Sequence, residues 1–196
     1  LGQYAASAKF VVILAVVVQA FQSAWGPFSL EARNQDLANE NFVLIAKLYI
    51  FIISICSLIL LIFGKILLIF LTSEEYQDQW YLIFPMSISL IIYSIGSIIG
   101  VGLIISNRPY IQLFNYLIFV IISCILISFL TKQYGIFGTA SAILISNIIR
   151  TISISCTAQY FYFINWPFRT IIILILINLF SGLIIGVLII NSLHLF

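Results

Sequence analysis

Arg150 is the only charged side chain in the apolar stretch from Gly135 to Phe163. If that stretch is one helix, a rise of about 1.5 Å per residue puts its Cα roughly 20 Å from either end. A guanidinium does not shed its proton, and at the centre of a bilayer it costs several kcal/mol, so such a residue faces a partner, a bundle interior or a wet cavity. Lys9 and Lys65 also lie within apolar runs, whereas every aspartate and glutamate falls in a polar connection. Intramembrane groups that are all basic suit an anionic solute and argue against a cation- or proton-coupled path built from these residues alone. Lys65 has a second reading: eighteen positions beyond Lys47, about 27 Å along a helix, it can snorkel to the interface opposite Lys47. Gln19 and Gln22, one turn apart, carry amides that cost free energy in hydrocarbon unless partnered. They face either a wet cavity or hydrogen-bonding groups on neighbouring helices. Arg150, Lys9, Lys65, Gln22 and Gln19 are thus the candidate substrate-binding residues.

At 100° per residue, Thr139, Ser146, Arg150, Ser153 and Thr157 fall within about 60° of one another. This polar face either lines a path or packs against a neighbour, with Arg150 hydrogen-bonded to nearby carbonyls. Ser141, Asn147, Thr151 and Ser155 point elsewhere, so small polar residues occupy every side of the helix. No catalytic set accompanies it: there is no Ser/His/Asp grouping, HExxH, P-loop, EF-hand loop or dinucleotide fingerprint. The one histidine, His194, stands at the end of the sequence, and Cys56, Cys124 and Cys156 lie in apolar runs without paired spacing. We therefore expect no enzyme activity, metal or cofactor.

The elements that position these residues are membrane helices. The chain of 196 residues is 63% hydrophobic and 7% charged, against about 25% charged in soluble domains. Apolar segments of bilayer-spanning length recur along the whole sequence, which excludes a lone secretory signal, and their continuity excludes a transmembrane barrel. A net charge of +2 points to no nucleic-acid partner. The expected fold is an all-α bundle of about six transmembrane helices in a single domain, 1–196, with spans near 4–28, 42–72, 80–106, 110–130, 136–163 and 170–193. Gly26 and Pro27 are expected to close the first span, and Ser29 to Asn41 forms a solvated, helical connection. Gly96 with Gly100, and Gly182 with Gly186, spell GxxxG and imply close helix packing. Ser89, Tyr93, Gly96 and Gly100 share one face. The distribution of Arg33, Lys47, Arg108 and Arg169 places Ser29 to Asn41, Asn107 and Asn165 to Arg169 on the cytoplasmic side and both chain ends outside.

Several short stretches carry a resemblance. The opening Leu1-Gly-Gln-Tyr-Ala-Ala-Ser-Ala-Lys9, the segment Ala20-Phe-Gln-Ser-Ala-Trp-Gly-Pro-Phe28 with its following polar loop, and Tyr134-Gly-Ile-Phe-Gly-Thr-Ala140 together resemble bacterial polysaccharide exporters. These are the O-antigen and capsule repeat-unit flippases of the multidrug/oligosaccharidyl-lipid/polysaccharide exporter superfamily. The resemblance implies a two-lobed inner-membrane, multi-pass transporter with a cationic central cavity, in which this chain is most of the C-terminal lobe and the N-terminal lobe is missing. Its cargo would be an undecaprenyl-diphosphate-linked oligosaccharide, and its other partner the bilayer. Tyr4, Pro27, Gly135 and Gly138 are the positions that match its signatures, in structural roles. Two alternatives stand beside it: a cation-coupled multidrug or small-solute exporter of the same superfamily, and a non-transporting membrane subunit of polysaccharide assembly.

Overall fold

The computed structural model describes residues 2–35, 37–71 and 78–193. It is an all-α bundle: α1 (Gly2–Ala32), α2 (Ala38–Leu71), a 3-10 turn (Asp78–Leu82) leading into α3 (Ile83–Ile99), the short α4 (Val101–Ile105), α5 (Pro109–Phe161) and α6 (Phe168–Leu193). Four helical segments of the described residues are long and apolar enough to cross a membrane: Ser7–Ala32, Ala38–Gly64, Trp80–Ile105 and Pro109–Phe161.

The longest of these is two arms. Gly135 has φ 58° and ψ −136° inside α5, a conformation outside the helical region and confined in practice to glycine. A straight helix would hold Asn115 and Thr157 about 60 Å apart, yet Asn115 Nδ2 donates to Thr157 Oγ1 at 3.4 Å. The chain therefore reverses at Gly135 into a hairpin of arm α5a, 109–134, and arm α5b, 136–161. Gly138 lets the arms meet, since a Cβ there would lie 2.0 Å from the Leu130 carbonyl oxygen. Thr131 and Thr139 share a hydroxyl hydrogen bond of 2.8 Å near the tip. At the open end the Arg108 guanidinium lies 4.4 Å from the Phe161 ring centroid. Before α5, Asn107 takes a positive φ of 56°, which asparagine tolerates, and Pro109 starts the helix where its missing N–H costs nothing.

α3 is the buried centre. Its apolar residues Ile83, Ile88, Ile91, Ile95, Ile98 and Ile99 are buried, because α1, α2 and α5b all pack on it. α3 and α5b run parallel and approach through the first GxxxG, as expected from the small residues. A Cβ on Gly96 would sit 2.6 Å from Thr151 Oγ1 and 3.2 Å from Thr151 Cα, and one on Gly100 would sit 3.0 Å from Ile154 Cγ2. Thr151 Oγ1 donates to the Ile92 carbonyl at 2.8 Å, completing the contact. Gly96→Ala should destabilise the protein by about 1–3 kcal/mol through overpacking, seen as a lowered melting temperature of the purified protein. An unchanged melting temperature would show that α3 and α5b are not this close. In the second GxxxG, Gly182 packs on Phe84, whose Cε2 a Cβ would meet at 2.0 Å.

The expected end of the first helix needs correction. Pro27 lies inside α1, which continues to Ala32. An internal proline removes a helical hydrogen bond and costs about 3 kcal/mol, but the residues around it are anchored. Trp25 and Ser29 are buried, Trp25 stacks on Phe21 and Phe28 and meets Phe42 edge-on, and its Nε1 donates to the Ile98 carbonyl at 3.3 Å. Packing on α2 and α3 thus carries the helix past the proline, and the connection between α1 and α2 shrinks to residues 33–37.

Candidate functional site

Arg150 is 2% exposed, and of the fully buried side chains it is among the largest. It lies on α5b between α3 and α5a. Nη2 donates to the Tyr93 carbonyl at 2.8 Å. The guanidinium carbon stands 4.2 Å from the Tyr93 ring centroid, 5.1 Å from Tyr116 and 5.8 Å from Phe119. Three rings from two helices therefore surround the charge, and cation–π attraction in a desolvated site is worth about 2 kcal/mol or more. Nε and Nη1 have no hydrogen-bond partner among the described residues. No aspartate or glutamate follows Asp78 in the sequence, so the elements forming this cage contain no carboxylate to neutralise it.

The polar face of α5b is a seam and not an open path. Ser153 Oγ donates to Asn115 Oδ1, Thr157 meets Asn115 Nδ2, Thr139 meets Thr131, and Ser146 Oγ donates to its own helix at Ala142 O. Folding back at Gly135 lays α5a along that face, and hydroxyls and amides that would be costly against lipid are satisfied between the arms. The packing alternative therefore holds for the face as a whole, with Arg150 as its one incompletely satisfied member.

A cleft of about 310 Å³ lies between α1, α3 and α5b. α1 and α5b each pack on α3 and stand apart from one another over it. Tyr4, Ala8, Val11 and Val12 form one wall, Ala140 and Ile143 the other, and Met86, Ser89, Leu90 and Tyr93 the floor with Asn147. Asn147 is buried, and its Nδ2 donates to Ser89 Oγ at 2.8 Å. Its Oδ1 has no partner among the described residues. Tyr93 joins the two sites, since its ring lines the cleft and also covers the Arg150 guanidinium.

The other candidates lie apart. Lys9 is exposed on α1 beside, and not within, the cleft wall. The side chain of Lys65 falls outside the described residues. Gln19 is exposed, while Gln22 is half-buried with an Nε2 that lacks a partner among the described residues. Asn147, Ser89 and Tyr93 were not singled out as site residues by sequence reasoning. The usable signal was an amide three positions before Arg150, which places both at neighbouring levels of one helix, combined with the shared face of Ser89 and Tyr93.

Comparison of the chain with protein-family models, curated proteins and solved structures gives no match.

Proposed function

We propose that this chain is one lobe of a membrane transporter that moves lipid-linked anionic oligosaccharides across the bacterial inner membrane for polysaccharide synthesis. The observation that carries the reading is Arg150: a guanidinium 2% exposed, in a helix apolar enough to cross a membrane, with two nitrogens unpartnered among the described residues. A buried charge without a counter-charge is strongly unfavourable unless something anionic visits it, and a diphosphate offers oxygens matched to the guanidinium fork. The adjoining cleft supplies a place for the visitor to enter, and the resemblance of the stretches around Tyr4, Pro27 and Gly135 supplies the class of cargo. Deleting the gene in its host is expected to remove surface polysaccharide and to accumulate lipid-linked repeat units in the membrane. Intact surface polysaccharide after deletion would end this reading.

The mainly aliphatic walls of the cleft, with Val11, Val12, Leu90 and Ile143, favour a second reading, a cation-coupled exporter of drugs or small lipophilic solutes. It predicts that the deletion strain becomes sensitive to lipophilic cationic drugs. Under the first reading that sensitivity stays unchanged.

A further inference from the structure

The Asn147–Ser89 pair presents chemistry that Arg150 does not. Asn147 is 6% exposed and Ser89 4%, both line the cleft, and the 2.8 Å bond between them uses one amide donor and leaves Oδ1 without a partner among the described residues. Oδ1 is enclosed in this conformation, so a ligand in the cleft meets it as the surrounding side chains part, and a buried carbonyl oxygen of this kind is unfavourable until it accepts a hydrogen bond. Ser89 Oγ can accept or donate, so turning the amide by half a revolution reverses the pair and presents Nδ2 in place of Oδ1. A group that both donates and accepts can bind either arrangement, and a hydroxyl is such a group. An anion, which only accepts, can use only the arrangement that presents Nδ2, and a cation would find a single neutral oxygen in place of the several oxygens that hard cations require.

The surroundings narrow the ligand further. Tyr4 and Tyr93 place aromatic rings in the cleft walls and floor, and such rings suit a molecule with flat apolar faces and polar edges. The volume of about 310 Å³ lies at the small end of the range for ligand sites, roughly 300–1,000 Å³. We propose that the Asn147–Ser89 pair is a hydroxyl-binding subsite for one sugar ring of the cargo. The identity of the cargo rests on the transporter reading above, whereas the hydroxyl chemistry rests on the pair itself. Arg150 lies one turn further along α5b behind Tyr93, so the neutral and cationic parts of the site follow one another in depth.

The test uses the full-length protein in lipid nanodiscs, with Cys56, Cys124 and Cys156 replaced by alanine and Ala8→Cys introduced as a reporter in the cleft wall. The rate of N-ethylmaleimide labelling is measured against octyl glucoside, kept below its micellar concentration, and against octyl phosphate, which has the same chain and an anionic head. Octyl glucoside should slow labelling, and Asn147→Leu should raise the concentration needed at least ten-fold while changing any protection by octyl phosphate much less. Ser89→Ala, which deletes one hydroxyl and preserves packing, should raise it several-fold and serves if the leucine variant does not fold. Absence of protection by octyl glucoside, or protection indifferent to both substitutions, overturns the subsite. Asn147-dependent protection in a protein whose deletion leaves surface polysaccharide intact keeps the hydroxyl site and removes the sugar cargo. Normal polysaccharide dependence with protection indifferent to Asn147 does the reverse.

Discussion

Arg150→Met lowers export of surface polysaccharide ten-fold or more in a transporter-null strain, while the purified protein melts within about 2–4 °C of the parent, the equivalent of ~1 kcal/mol. The two halves of this result have separate causes. Methionine approximates the aliphatic length of arginine and fills the space among Tyr93, Tyr116 and Phe119. Exchanging a buried charge for an apolar side chain of similar volume is commonly neutral or stabilising, because desolvation of the ion disappears with the ion. What is lost is the Nη2 bond to the Tyr93 carbonyl and cation–π attraction, both offset by that relief. Export falls because a well-placed charge-assisted contact to a phosphate is worth about 2 kcal/mol or more, which is more than a factor of ten in rate or affinity. Arg150→Lys restores part of the activity, since an ammonium keeps the charge but not the planar fork. An Arg150→Met protein that exports normally would reduce Arg150 to a clamp between α3 and α5a.

Gly138→Ala is expected to destabilise the protein by on the order of 3 kcal/mol through overpacking, lowering the melting temperature by about 6 °C or more. The methyl group would stand 2.0 Å from the oxygen and 2.6 Å from the carbon of the Leu130 carbonyl. Backbone cannot turn aside as a flexible side chain does, so the arms of α5 must separate at the tip, taking the Thr131–Thr139 bond with them. Gly26→Ala is the control: a Cβ there meets nothing within 4 Å, and replacing a helical glycine with alanine is neutral or favourable by about 0.5–1 kcal/mol. Equal melting of the Gly138→Ala protein and its parent would mean that the arms do not touch where the structure has them.

The helices were legible because the signal is local. An apolar run of bilayer length between polar breaks fixes a helix without reference to its neighbours, and 42–72, 80–106, 136–163 and 170–193 fall close to α2, α3 with its flanking turns, α5b and α6. Pro27 misled because its penalty is local while the packing of Trp25 and Ser29 that outweighs it is tertiary. The polar face through Thr139, Ser146, Arg150, Ser153 and Thr157 was visible, but periodicity tells which side of a helix is polar and not what meets it. Only the reversal at Gly135 decides that Asn115, from the preceding arm, answers Ser153 and Thr157. The cleft was illegible for the same reason. Tyr4, Ser89 and Asn147 come from three distant stretches and share a cavity because α1 and α5b both lean on α3.

The reversal at Gly135 also bears on how the chain enters a membrane during synthesis. With a single non-helical residue between the arms, too little backbone lies between them for α5a to settle across a bilayer while α5b waits outside. Entering alone, α5a would carry Asn115 and Thr131 into hydrocarbon, and α5b would carry Thr139, Ser153, Thr157 and Arg150. Where α5 enters a bilayer, insertion of the two arms as a pair satisfies these groups before they meet hydrocarbon, and the same pairing wraps Arg150 in Tyr116 and Phe119.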